Sequence, residues 1–130
     1  MKPPVEAVET TTFCLARGVT MAQFIEANAD VDAWLRRQPG FIRRRICQRT
    51  DGRVVDVLLW ASVEDGESAA AGVVTEMAAS PVHAAIDQSS VDWSVAACCH
   101  SIVAGTDVAP TSEFFGRFSI SQTGSSRGST

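Results

Sequence analysis

Apolar residues along the chain follow two different periods, one typical of strands and one typical of helices. Four runs rich in β-branched, aromatic or alternating apolar residues indicate β-strands, and they lie at 8–16, 41–49, 54–60 and 90–104. Between the first two runs, the apolar residues recur every three or four positions, which predicts one amphipathic helix that begins after Thr20 and ends before Pro39. That predicted stripe consists of Met21, Phe24, Ile25, Val31, Trp34 and Leu35.

A second helix is predicted in the alanine-rich segment between the third and fourth strands. Ser62 is a good N-cap for this helix, which we expect to continue to about Ala79. Pro81 then favours a short helical turn that reaches Ile86. The order strand, helix, strand, strand, helix, strand predicts an α+β fold of the ferredoxin-like βαββαβ kind, with a four-stranded antiparallel sheet and two helices on one face.

The hairpin between the second and third strands sets which side chains share a face of the sheet. Asp51-Gly52 between two strand-like runs is typical of a two-residue hairpin turn. With that turn, Arg45 lies opposite Leu58 and Arg43 opposite Trp60. One face then carries Arg43, Arg45, Cys47, Arg49, Asp56, Leu58 and Trp60, and the other carries Ile42, Ile46, Val55, Val57 and Leu59.

The second of these sets is the more apolar, so we expect it to face the helices. The face with Asp56, Leu58 and Trp60 would then have no helix to cover it. A second copy of the chain is the simplest cover for its apolar residues, and we therefore expect a homodimer.

The chain has 130 residues, which suits one domain, predicted at 5–104. From Gly105 the composition changes to Thr, Ser, Gly and Pro, so we expect 105–130 to be a tail or an arm. A net charge of -4 argues against a nucleic-acid partner, and no apolar run is long enough for a membrane span. The amino terminus lacks the apolar segment of a secretory signal.

The four cysteines show neither CxxC spacing nor a zinc-type cluster with histidine. We therefore expect reduced thiols, a cytoplasmic location and no metal site. Asp56 remains the one acid within the third predicted strand, and in the predicted register Arg45 and Arg49 are its diagonal neighbours. Such a pair can simply fix the sheet register, or it can take part in chemistry.

The motif "F…AN…WL…QPGF", followed by "DGRVVDVLLW" and an alanine-rich helix, resembles the dimeric α/β-barrel proteins related to antibiotic-biosynthesis monooxygenases. The resemblance covers about 8–104. It implies a ligand cavity, and in some relatives the oxidation of polycyclic phenols by O₂ without a cofactor. Those relatives have Asn and Trp on the third strand where this sequence has Asp56 and Trp60. Haem-degrading relatives need a Trp on the second helix, which is absent from the predicted one.

The resemblance and the predicted register together suggest a site for a small aromatic or polyketide-like compound, with no cofactor. Asp56 would take a proton, Arg45 would stabilise the resulting oxyanion, and Trp60 would stack on the ring. The other predicted ligand contacts are Arg43, Leu58 and His83. The alternative is a non-catalytic ligand-binding or structural module with the same fold.

Overall fold

The computed structural model describes residues 5–105, and their elements follow the predicted order except that two α-helices replace the first predicted helix. The strands are β1 (Ala7–Phe13), β2 (Phe41–Gln48), β3 (Val54–Trp60) and β4 (Asp92–Ala97). The α-helices are α1 (Met21–Ala27), α2 (Ala29–Leu35) and α3 (Val63–Thr75), and two 3₁₀ helices span Pro81–Ala85 and Gln88–Ser90. The strands form one antiparallel sheet in the order β2-β3-β1-β4, which confirms the α+β prediction.

The compact unit that contains this sheet ends at Cys99. The last strand is shorter than predicted, since β4 ends at Ala97. The predicted tail lies almost entirely outside the described residues, and the domain boundary at 104 stays a prediction. No helix within 5–105 is long and apolar enough to cross a membrane.

The first predicted helix is two helices that meet at Asn28. It begins as expected, because the Thr20 hydroxyl accepts from the Gln23 backbone N–H while the Gln23 side chain accepts from the Thr20 backbone N–H. Asn28 then ends α1 and starts α2. Ile25 of the predicted apolar stripe is 45% exposed.

The hairpin between β2 and β3 has a three-residue loop, so the predicted two-residue turn is wrong. Arg49 donates its N–H to the Arg53 carbonyl at 2.8 Å, and the Gly52 N–H donates to the Arg49 carbonyl at 2.9 Å. Gly52 has φ +91°, a left-handed conformation that glycine adopts without the steric cost of a Cβ. Thr50, Asp51 and Gly52 thus form the loop, as in the common hairpin whose turn is followed by a left-handed glycine.

One extra loop residue shifts the register of β2 by one position. Arg44 lies opposite Leu58, and Arg45 lies opposite Val57. Because side chains alternate along a strand, this shift exchanges the two faces of β2 relative to those of β3. A β-bulge between Phe41 and Arg43 then returns Phe41 to the side of Trp60, where their rings meet edge to face with centroids 5.4 Å apart.

We call the face of the sheet that the helices cover the inner face. On β3 it carries Val54, Asp56, Leu58 and Trp60, all of which are buried. Helix α3 approaches it closely, since a Cβ on Gly66 would stand 3.0 Å from Trp60 Cδ1. The prediction that Asp56, Leu58 and Trp60 face away from the helices is therefore wrong.

The opposite side is the outer face, and within 5–105 no helix covers it. Its apolar residues are half-buried in the single chain: Val8, Val55, Val57 and Leu59. Three of these were predicted to be the helix-facing core. The core instead joins the inner face to the helices, as in the edge-to-face pair of Phe13 and Phe24 with centroids 5.3 Å apart.

Candidate functional site

A cavity of about 520 Å³ lies between the inner face and the helices. Its lining is mostly apolar, with Leu58 and Trp60 from the sheet and Phe24, Val31 and Leu35 from the helices. A volume of this size is typical of pockets for small organic ligands. The space exists because the alanine-rich α3 contributes short side chains to it, including Ala69, Ala70 and Ala71.

Glu9 of β1 is a buried carboxylate in the cavity wall, and it forms no ion pair with a cation of residues 5–105. It is 7% exposed, and its two oxygens accept hydrogen bonds from two indoles. Trp60 Nε1 donates to Oε1 at 2.8 Å, and Trp93 Nε1 donates to Oε2 at 2.7 Å. Burial raises the pKa of the Glu9 carboxyl and outweighs the two indole bonds, which favour the charged form; the nearby charge of Asp56 raises it further.

Asp56 also lies in the cavity wall, but a cation occupies both of its oxygens. Arg44 Nε donates to Asp56 Oδ1 at 3.1 Å and Nη2 donates to Oδ2 at 2.7 Å, a bidentate pair. Arg44 Nη1 donates to Asp32 Oδ1 of α2 at 2.8 Å. Burial alone would lower the pKa of Arg44, but the hydrogen bonds and charges of Asp56 and Asp32 raise it, so Arg44 stays a cation.

The structure places four of the six predicted site residues around the cavity. Asp56, Leu58, Trp60 and His83 line it. Arg45 and Arg43 are exposed and lie on the outer face, opposite Val57 and Leu59. The prediction that Asp56 shares its surroundings with Arg45 or Arg49 is wrong, because Arg44 is its partner and Arg49 pairs with the exposed Asp51.

His83 lines the cavity from the first 3₁₀ helix, where Pro81 holds the predicted first position. Its Nε2 lies 2.9 Å from the Met77 carbonyl oxygen. Since a carbonyl only accepts, Nε2 carries the hydrogen, and in a neutral ring Nδ1 is then free to accept. Within 5–105, no group of three His, Cys, Asp or Glu side chains is arranged to hold a metal ion.

Sequence reasoning missed Glu9, Trp93 and Arg44 as parts of this site. A signal for Glu9 was present, because in "VETTTF" it shares strand parity with Phe13, whose aromatic side chain favours the core. Arg44 was missed because the predicted register set it on the opposite face of the sheet from Asp56. Trp93 lies on β4, where neither the hairpin nor the resemblance assigned faces.

No family model matches this sequence, and no curated protein sequence matches it. Solved structures do match. SnoaB from Streptomyces nogalater, described as a cofactor-independent oxygenase, superposes with a TM-score of 0.60 at 19% identity, covering 75% of this chain and 97% of SnoaB.

Two further solved structures also superpose on this chain. The ActVA-Orf6 monooxygenase of Streptomyces coelicolor, solved with nanaomycin D, gives a TM-score of 0.54 at 21% identity over 76% of this chain and 92% of its own. A candidate antibiotic-biosynthesis monooxygenase from Bacillus cereus gives 0.53 at 22% identity over 77% and 99%. The resemblance inferred from the sequence is confirmed for the fold: this chain has the α+β fold of the antibiotic-biosynthesis monooxygenase-like proteins.

Proposed function

We propose that the protein binds a small polycyclic phenol or polyketide-like compound in the inner cavity and oxidises it with O₂, with no bound cofactor. The observation that supports this most is Glu9, a buried carboxyl with a raised pKa in the wall of a largely apolar cavity. A base of this kind can take a proton from a ligand that the apolar walls hold beside it. The fold is also that of SnoaB, itself described as a cofactor-independent oxygenase.

In this proposal the Glu9 carboxylate removes the proton from an acidic C–H of the phenolic substrate and leaves a delocalised carbanion. The anion gives one electron to O₂, and the radical pair combines into a C–O bond. The peroxide takes up a proton and then loses water, so that a CH₂ group and O₂ become a carbonyl group and H₂O. The indoles of Trp60 and Trp93 fix the carboxylate through its two hydrogen bonds.

Asp56 has a different role in this proposal from the one that the sequence suggested. A cation engages both of its oxygens, so Asp56 holds Arg44 in the cavity wall, and Glu9, whose partners are two neutral indoles, is the base. Arg44 in turn joins β2 to α2 through Asp32. Leu58, Trp60 and His83 keep their predicted role as ligand contacts, whereas Arg43 and Arg45 lose theirs because they lie on the outer face.

Oxygen uptake with a panel of anthrones tests the proposal, after subtraction of the spontaneous rate. The test variant is Glu9→Gln, and the matched control is Glu6→Gln, the same change at an exposed acid just before β1. We expect Glu9→Gln to lower the rate by about 10²–10⁴-fold and Glu6→Gln to leave it unchanged. Full activity of Glu9→Gln would contradict the role of Glu9.

A second candidate is a ligand-binding module without catalysis, and the closed Asp56–Arg44 pair favours it, because this pair engages an acid that the sequence suggested for chemistry. Such a module would bind the same aromatic compounds and consume no oxygen. Binding of an anthrone under nitrogen, with no uptake in air by the wild type or by either variant, would establish this alternative.

We also propose that the protein is a homodimer that pairs through the outer face. Val55, Val57 and Leu59 support this, because a monomer would leave their side chains without a covering layer of helices. This replaces the predicted contact through Leu58 and Trp60, which the helices of the same chain already cover.

A further inference from the structure

Asn28, the chain's single asparagine, is completely buried at the junction of α1 and α2. Its backbone is satisfied, since the N–H donates to the Ile25 carbonyl at 3.1 Å and the carbonyl accepts from the Asp32 N–H at 2.8 Å. Asparagine often caps a helix with its side chain, but this one makes no such hydrogen bond to α2. The junction of the two helices therefore does not explain why a polar side-chain amide is buried there.

The orientation of the amide is fixed by one hydrogen bond. Nδ2 donates to the Phe24 carbonyl at 2.8 Å, and exchanging the amide nitrogen and oxygen would set two acceptors against each other. Oδ1 is thereby left as a buried acceptor, and it meets no donor among residues 5–105. Buried polar atoms without a partner are uncommon in proteins and disfavour the folded state, so each one needs an explanation.

The cavity supplies that explanation. Asn28 lines it, among the apolar side chains of Phe24, Val31 and Leu35. Those neighbours offer no donor, and the carboxyl of Glu9 in the same cavity is an acceptor when ionised. A ligand that satisfies this part of the wall must bring its own donor, such as a hydroxyl group.

We propose that Asn28 Oδ1 accepts a hydrogen bond from a hydroxyl group of the ligand, and that Asn28 thus selects hydroxylated aromatic compounds over their ethers. This inference rests on the proposed function only in assuming that the aromatic ligand occupies the same cavity. It assigns a specificity-determining residue and a chemical feature of the ligand, and it involves no oxidation step.

Calorimetric titration under nitrogen tests the inference with 2-naphthol and 2-methoxynaphthalene, which differ in the hydroxyl donor. The test variant is Asn28→Leu, which removes the acceptor and keeps the number and branching of the side-chain heavy atoms, and the control is Gln48→Leu, a similar change at an exposed position away from the cavity. We expect the wild type and the control to prefer 2-naphthol. Asn28→Leu should bind 2-naphthol about ten-fold or more weakly and 2-methoxynaphthalene within about two-fold of the wild type.

An unchanged preference in Asn28→Leu would overturn the inference, since water rather than the ligand would then meet the amide. Failure of the wild type to bind either probe would also overturn it. If Asn28→Leu does not fold, wild-type protein labelled with ¹³C only in asparagine gives the answer, because its one Cγ signal should shift with 2-naphthol and not with the ether. A preference that depends on Asn28 without oxygen uptake would disprove the oxidase proposal alone.

Discussion

Replacing Arg44 by methionine tests the register of the hairpin and the buried ion pair together. Arg44 and Arg45 are neighbours in the sequence, yet only Arg44 points between the sheet and the helices. Methionine retains most of the length of the side chain and removes its charge and its donors. Arg44→Met therefore leaves Asp56 without its partner, whereas Arg45→Met changes an exposed side chain on the outer face.

The expected loss in the free energy of unfolding follows from the exposure of Arg44, Asp56 and Asp32. The side chains of Arg44 and Asp56 are 11% and 10% exposed, so loss of this bidentate pair leaves an uncompensated, largely buried carboxylate and costs about 3–5 kcal/mol. The Asp32 side chain is 39% exposed, and its contact with Arg44 adds no more than about 1 kcal/mol. Arg45→Met should change the free energy of unfolding by less than about 0.5 kcal/mol.

Urea unfolding followed by circular dichroism at one protein concentration measures both variants. A second-site change, Asp56→Leu in the Arg44→Met background, should recover part of the loss, because it removes the stranded charge. Equal destabilisation by Arg44→Met and Arg45→Met, or a larger effect of Arg45→Met, would refute the one-residue shift in register. It would instead support the two-residue turn that the Asp-Gly sequence suggests.

Three further predictions concern the carboxylate, the helix contact and the outer face. Because the pKa of Glu9 is raised above its ordinary value of 4.5, its contribution to stability is present below that pH and is lost as the pH rises through the raised pKa. Urea unfolding across this range should thus show the wild type losing stability relative to Glu9→Gln, and a pH-independent difference would contradict the shift. Gly72→Ala should destabilise by about 1–3 kcal/mol, since the new Cβ would stand 2.6 Å from Trp34 Cζ2; a gain in thermal stability would show that the ring moves aside. Light scattering should find a dimer for the wild type and a monomer for Val57→Arg, and a wild-type monomer at micromolar concentration would disprove the proposed pairing.

The positions of most helices and strands could be predicted because the helix caps and the periodicity of the apolar residues agreed. The capping box at Thr20 and the N-cap at Ser62 start helices where the sequence indicated, and the four strands appear in the predicted order. The break at Asn28 was not predicted, because apolar residues continue at helical spacing on both sides of it. The spacing of the apolar residues therefore does not indicate that the amide of Asn28 is buried and lines a cavity.

The site was predicted only in part, because the length of one turn and the choice of the β3 face that the helices cover were both wrong. Asp-Gly fits a two-residue turn and also the second and third positions of a three-residue loop, and the sequence does not separate the two. The second reading sets Arg44 rather than Arg45 on the same face as Asp56, because every side chain of β2 changes face relative to β3 with a one-residue shift. The apolar set of Val55, Val57 and Leu59 was also expected to face the helices, and it lies on the outer face. Glu9 depended on which face of the sheet the helices cover, because its carboxyl is buried only on the covered face.

The most direct test of the cavity as a ligand site uses the three tryptophans, whose indole N–H groups give separate signals after ¹⁵N labelling. Trp60 and Trp93 donate to Glu9 in the cavity, whereas Trp34 donates to Glu76 at 3.0 Å and does not line the cavity, so it is an internal control. Titration with a polycyclic phenol under nitrogen should shift the signals of Trp60 and Trp93 and leave that of Trp34 in place. A shift of Trp34 alone, or no shift at saturating phenol, would contradict a ligand site at Glu9.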